Sequence, residues 1–119
     1  MNTLTVTVRE SGQDSGLAVF QLAGHLDAQT VRELEIRFES QMKASRVRWI
    51  VDLEKLDYIS SAGLGSFVGV LSELRAQGGD IFFVGLTQKM EKIFKVLGFT
   101  RIFRVYANEG EAALAFKAA

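Results

Sequence analysis

The run Val47-Arg48-Trp49-Ile50-Val51-Asp52-Leu53, then Ser60-Ser61-Ala62-Gly63-Leu64-Gly65 and the apolar positions Leu64, Phe67, Val68, Leu71 and Leu74, decides the fold. The first run carries Trp49-Ile50-Val51 at its centre and is apolar on both faces, as in a strand covered from both sides. The later positions recur at i, i+3, i+4 and i+7, which is one face of a helix, and Gly78-Gly79 ends it. A buried strand feeding an amphipathic helix predicts a parallel α/β unit, with the helix starting just after Ser61. Asp52 would end the strand.

Working outward, Leu4, Val6 and Val8 alternate with polar residues as a half-buried strand, and the polar stretch from Glu10 to Gly16 reads as a turn. Leu17 to Leu22 predicts a second strand, antiparallel to the first because the connection is short. Val31, Leu34, Phe38 and Met42 then fall on one helix face, with Arg32, Glu33, Glu35 and Glu39 on the other. Thr30-Val31-Arg32-Glu33 matches a capping box, with Asp27 as the alternative cap. Downstream, Ile81 to Val84 predicts a short buried strand. Met90, Ile93, Phe94 and Leu97 predict a third amphipathic helix stopped by Gly98, with Phe99 packing back on it. Ile102 to Val105 reads as an edge strand, and Asn108 as the cap of a short C-terminal helix. The order ββαβαβαβα predicts an α/β fold: a mixed sheet of four to five strands with an N-terminal antiparallel hairpin and about four helices.

Composition narrows the function. The chain has 119 residues, 48% of them hydrophobic, which suits one domain over residues 1–119. Acidic and basic residues balance at 14 each, so the basic excess of a nucleic-acid binder is missing. There is no cysteine and one histidine, His25, which removes thiol chemistry and a His/Cys zinc site. No apolar run approaches the ~20 residues that cross a bilayer, and the alternating N-terminus is unlike a signal peptide. The expected location is the cytoplasm, without membrane partners.

Enzyme patterns fail on their spacing. Gly65-Ser66-Phe67-Val68-Gly69 places its serine one position too early for a nucleophile elbow. Gly63-Leu64-Gly65-Ser66-Phe67-Val68 lacks the last glycine of a dinucleotide fingerprint. A phospho-receiver domain needs an acidic pair after its first strand, and Val8-Arg9-Glu10 offers one acid. No catalytic residue, metal site or cofactor is expected.

What remains is the serine-glycine segment at the carboxyl end of a central strand, where ligands bind in α/β sheets. A serine there caps the helix, or it accepts a phosphate that meets free N–H groups and the positive end of the helix dipole. Gly63 and Gly65 keep the first turn bare. Gly69 adds a third helix glycine on nearly the same face as Gly65. Such glycines cost roughly 1 kcal/mol each against alanine, which points to a close approach by the sheet or by a partner. Asp27, just past the second strand, either caps the first helix or sits near the serine to orient its hydroxyl or a metal-bound nucleotide brought by a partner. His25 reads as an exposed loop residue.

Asp52-Leu53-Glu54-Lys55-Leu56-Asp57-Tyr58-Ile59-Ser60-Ser61-Ala62-Gly63-Leu64-Gly65 resembles the central motif of bacterial anti-sigma factor antagonists, soluble members of the STAS domain family. Gly24-His25-Leu26-Asp27 looks like the family's G-E-L-D segment, and Gly78 to Ile81 and Lys92 to Phe99 are similar to its later strand and helix. The resemblance covers nearly the whole chain. It implies a STAS-like fold and a switch: the unphosphorylated protein binds an ATP-using serine kinase that doubles as an anti-sigma factor. Phosphorylation of one serine releases that partner, and a serine phosphatase resets the system. Aligning the glycines puts the phosphoacceptor at Ser61, with Ser60 the alternative, and the partner contacts at Asp27, Ser60, Ala62, Gly63, Leu64 and Gly65. Ser60 and His25 stand where the family usually has aspartate and glutamate. A STAS module that binds a nucleotide or small anion as a sensor is the competing reading.

Overall fold

The computed structural model describes residues 3–11 and 14–118. Strands β1 (Leu4–Ser11), β2 (Asp14–Leu26), β3 (Arg48–Ile59), β4 (Asp80–Val84) and β5 (Arg104–Tyr106) form one sheet in sequence order. The β1–β2 pair is antiparallel, and β2 through β5 are parallel. Helices α1 (Val31–Lys43), α2 (Ser61–Ala76), α3 (Gln88–Val96) and α4 (Glu109–Ala118) connect and follow the strands, with a 3₁₀ turn at Phe99–Arg101. The expected mixed sheet, hairpin and four helices are all present.

Register separates the two faces. Phe20, Val51 and Phe83 stand side by side and point with Trp49 toward α1, α2 and α3, which cover that face through Leu34, Phe38, Phe67, Leu74, Met90 and Phe94. Val19, Ile50 and Phe82 point the other way, against Ala112 and Phe116 of α4. Phe82 and Phe116 stack with centroids 3.7 Å apart. Successive right-handed crossovers put the three connecting helices on one side, so among the described residues the second face is covered by the C-terminal helix alone.

Several boundaries differ from those read in the sequence, each for a physical reason. The hairpin turn is shorter than Glu10 to Gly16, because Glu10 and Ser11 pair in β1 and Asp14 to Gly16 belong to β2; residues 12–13 lie outside the described residues, as do Met1 and Asn2. Strand β2 runs on to Leu26, so His25 is a half-buried strand residue and not a loop residue. Strand β3 continues six residues past Leu53, and Asp52 sits in its middle. Two register shifts against β2 explain why alternation failed there: Gln21 faces Asp52 while Ala23 faces Lys55, and Gly24 faces Leu56 while His25 faces Tyr58. Each shift inserts an extra residue in β3, so its buried side chains become Leu53, Leu56 and Ile59, three apart instead of two. The Asp52 carboxylate accepts the Glu54 N–H at 2.9 Å within the first bulge.

The capping box at Thr30 does not form. The Thr30 hydroxyl donates back to the His25 carbonyl at 2.8 Å, while Asp27 Oδ1 accepts from Gln29 N (2.9 Å) and Thr30 N (3.1 Å). Asp27, the alternative cap, therefore organises the turn into α1. At the end of α3, Gly98 takes φ +74° and Phe99 packs on Phe94 at 5.5 Å, as expected. Leu97 is a departure: the helix ends before it and leaves it 53% exposed. Of the segment read as an edge strand, Arg104 and Val105 pair with β4, while Ile102 and Phe103 precede the strand. Asn108 caps α4 as expected, accepting the Glu111 N–H at 2.9 Å.

Phe83 is the hub of the main core, edge-on to Phe67 (5.0 Å), Phe94 (5.1 Å) and Phe103 (5.1 Å). Phe83→Ala is expected to cost about 3–5 kcal/mol, the usual toll for deleting a buried ring. Urea unfolding checks this; a loss below ~1 kcal/mol would show that the cluster can close over the gap.

Candidate functional site

Two adjacent parallel strands deliver the site. Leu26 and Ile59 are the last paired residues of β2 and β3, and the Ser60 N–H continues the ladder onto the Leu26 carbonyl at 2.9 Å. The Asp27 turn and the Ser60-Ser61 helix start thereby emerge side by side at the carboxyl edge of the sheet.

Ser60 takes extended backbone angles (φ −93°, ψ 173°), and its Oγ accepts the Gly63 N–H at 3.2 Å. It is the N-cap of α2. Ser61 is the first helical residue, exposed, and its hydroxyl makes no hydrogen bond among the described residues. The two serines thus divide the roles left open in the sequence: one closes the helix, and the other faces solvent. A charge added at Ser61 would stand over the unpaired N–H groups of the first turn, where the helix dipole favours an anion.

The glycines divide as well. A Cβ on Gly63 would lie 2.7 Å from Leu26 Cγ and 3.1 Å from Ile59 Cγ1, so this glycine lets the helix start press on the two strand ends. A Cβ on Gly65 or Gly69 would meet nothing within 4 Å. The sheet therefore does not explain those two; of the approaches expected at Gly69, by the sheet or by a partner, the sheet's is absent. Both border a groove of about 540 Å³ between α1 and α2, which Ala62, Val31 and Phe38 also line. Ala62 and Gly65 are exposed, while Leu64 is turned into the core.

Asp27 is only 8% exposed. Its Oδ1 accepts from the two N–H donors of its own turn, Gln29 and Thr30, which hold the carboxylate at the sheet edge. Sequence reasoning missed Tyr58. It is the register partner of His25, the two rings lie 6.0 Å apart, and it is 46% exposed close to Ser60. The signal that hides it is the second bulge of β3, which moves Tyr58 off the alternation a plain strand would show. Among the described residues, no group of His, Asp and Glu side chains is arranged to hold a metal ion.

A sequence model of the STAS domain matches residues 8–112. BtrV of Bordetella bronchiseptica, which carries the provisional name of an anti-sigma factor antagonist, is 34% identical over 104 residues, covering 87% of this chain and 90% of its own. Among solved structures, the anti-sigma factor antagonist SpoIIAA in its unphosphorylated form aligns with a TM-score of 0.80 at 21% identity, over 97% of this chain and 98% of its own. The phosphorylated form of the Bacillus cell fate determinant SpoIIAA aligns with a TM-score of 0.69 at 22% identity, over 92% and 99%. The chain belongs to the STAS domain family, among relatives named as anti-sigma factor antagonists.

The assignment of the cap yields a contrast measurable by thermal or urea unfolding. Ser60→Ala should cost about 0.5–2 kcal/mol, as loss of an N-cap does, and Ser61→Ala should stay within about 0.5 kcal/mol of the parent. In the same series Gly65→Ala should stabilise by up to ~1 kcal/mol, while Gly63→Ala should destabilise by overpacking against Leu26. Equal effects of the two serine substitutions would contradict the cap assignment.

Proposed function

We propose that the chain is a phosphorylatable protein-binding switch of the cytoplasm, with no catalysis of its own. Unphosphorylated, it sequesters an ATP-using serine kinase that doubles as an anti-sigma factor; phosphorylated on Ser61, it lets that partner go, and a serine phosphatase restores it. The observation that carries this reading is the exposed hydroxyl of Ser61 at the first position of α2, beside a separate serine that does the capping. The named roles of the relatives support it, as does a similarly folded SpoIIAA that exists in both phosphorylated and unphosphorylated forms.

The chemistry follows from that placement. Ser61 Oγ attacks the γ-phosphorus of ATP held by the kinase, ADP leaves, and the hydroxyl proton passes to a base of the kinase. This chain contributes position. Ser61 has no competing hydrogen bond to break, and the phosphate it gains stands at a helix N-terminus that tolerates charge. Release needs only the partner's side of the interface to be unsuited to the new charge: a dianion in a contact centred on Ala62, Gly65 and the neighbouring groove must be desolvated. Asp27, Ser60, Gly63 and Leu64 act in this scheme by shaping the surface, the last two from beneath it. Asp27, whose turn leaves the sheet beside the start of α2, would act on the complex, orienting the hydroxyl or the incoming metal-nucleotide once the kinase has brought them together.

Ser61→Ala should abolish phosphate transfer from the cognate kinase while keeping affinity for it, and radiolabelled transfer reads this directly. Undiminished labelling would move the acceptor to Ser60. Ser61→Asp should fold with slightly raised stability, by roughly 0.3–1 kcal/mol for a carboxylate at a helix N-terminus, and bind the kinase poorly in calorimetric titration. Wild-type affinity in that folded variant would mean that charge at this position does not regulate.

Asp27→Asn keeps an oxygen for the Gln29 and Thr30 N–H groups and removes the charge. A single-turnover phosphorylation rate lowered by about 10²-fold, the low end for an orienting group, with affinity nearly unchanged, is the expected result. An unchanged rate would reduce Asp27 to the organiser of its turn.

A further inference from the structure

The outer edge of β1 is open. β1 stands first in the sheet, so one of its sides has no neighbouring strand among the described residues. The His25 N–H donates to the Thr3 carbonyl at 2.9 Å, and Leu4 to Arg9 follow in unbroken register opposite Gly24 to Val19. Bonded and non-bonded pairs alternate along an antiparallel ladder. Thr5, Thr7 and Arg9 therefore turn their N–H and C=O groups toward β2, while Leu4, Val6 and Val8 turn theirs outward. Those outward groups have no partner among the described residues. The opposite edge strand, β5, is only three residues long, which is one way of blunting an edge. β1 has eight residues and neither lysine nor proline, and its register shift against β2 comes at its far end, between Glu10 and Ser11.

The side chains along this edge match their own reversal. Leu4, Val6 and Val8 lie on the helical face, and Thr5 and Thr7 on the other. A two-fold axis across the sheet at Val6 sets Leu4 of one copy opposite Val8 of the next, and Thr5 opposite Thr7. Apolar then meets apolar and hydroxyl meets hydroxyl, which are favourable cross-strand pairs. Above the edge, Glu33, Ile36 and Arg37 of α1 border a recess of about 380 Å³ together with Leu4, Thr5 and Val6. Ile36 is 50% exposed there. Glu33 and Arg37 stand one helical turn apart, both exposed, and neither forms an ion pair among the described residues. The same axis reverses the direction of α1, so Glu33 of each copy is carried toward Arg37 of the other.

We infer that two copies of this chain pair antiparallel through β1, about a two-fold axis at Val6, into one continuous sheet with five strands from each copy. The outward N–H and C=O groups of Leu4, Val6 and Val8 are then satisfied by the same groups of the second copy, as an isologous interface requires. Backbone groups alone would accept any strand. The alternation of β1 and the acid–base pair on α1 select a second copy, because both are complementary to themselves. The axis crosses the sheet, so the carboxyl edges of the two copies, and with them the two Ser61 hydroxyls, point in opposite directions. The dimer leaves both sites open and carries two of them on one particle. Pairing through β1 does not depend on the chemistry proposed for Ser61.

Sedimentation equilibrium of the full chain, from micromolar to millimolar concentration, should show a monomer–dimer equilibrium. Arg37→Glu sets acids against each other across the axis and should raise the dissociation constant at least ~10-fold. Glu33→Arg combined with Arg37→Glu exchanges the charges and should bring it back to within ~3-fold of the parent. Val6→Pro removes an outward N–H, a change that an edge strand tolerates, and should leave a folded monomer. Thermal melts check the fold of each variant, and the charge series decides the matter even if Val6→Pro unfolds. The chain has no cysteine, so mixing two single-cysteine chains, Thr5→Cys and Thr7→Cys, reads the register. Under mild oxidation the mixed disulfide dimer should exceed either same-site dimer by at least ~10-fold, since a disulfide needs its two Cβ atoms close together. A chain that stays monomeric throughout would overturn the inference. So would a dimer indifferent to Arg37→Glu, one that the charge exchange does not restore, or same-site disulfides as abundant as the mixed one.

Discussion

The hydrogen bond from the Ser60 N–H to the Leu26 carbonyl is the last rung of the β2–β3 ladder, and the geometry of the site depends on it. It holds the end of β2 against the end of β3 at the point where both chains leave the sheet. From there one chain turns under the control of Asp27 and the other enters a helix under the control of Ser60. Gly63 completes the arrangement, since any larger residue would push α2 off Leu26 and Ile59. The Asp27 turn and the serines are neighbours because two parallel strands end together.

That constraint is supported from below by an asymmetric core. Three crossover helices share one face of the sheet, where aromatic rings meet edge-on from Phe20 and Trp49 through Phe67 to Phe83, Phe94 and Phe103. Edge-on contacts of this kind add directional preference to area burial. Among the described residues the other face is covered by α4, fastened by the stack of Phe116 on Phe82 and by the exposed ion pair between Arg9 and Glu109. Helix α2 and its serines therefore belong to the more heavily covered face of the sheet.

The two ends of the molecule differ in chemistry. At the carboxyl edge the exposed groups are small: a hydroxyl, an alanine, a bare glycine and the groove beside them. Close approach of another backbone is possible there, and a single added phosphate changes the surface substantially. Toward the amino edge, α3 leaves Val96 and Leu97 exposed.

Much of this was legible in the residues. The alternation of Leu4, Val6 and Val8, the apolar centre of β3 and the helical stripe from Leu64 to Leu74 determined the order of elements and the mixed sheet, because burial imposes periods of 2 and 3.6 on any chain that folds this way. The serine-glycine segment marked the site for the same local reason: caps and bare helix turns need those residue types. Tertiary structure alone decided which serine caps and which is exposed. It also turned Asp27 into the organiser of its turn in place of Thr30, and separated Gly63, which the strands require, from Gly65 and Gly69, which they do not. It extended β2 and β3 to the site through bulges that break alternation, and it left Leu97 outside the core. Each of these outcomes depends on which groups from distant parts of the chain arrive within hydrogen-bonding or van der Waals distance, and periodicity along one segment carries no record of its neighbours.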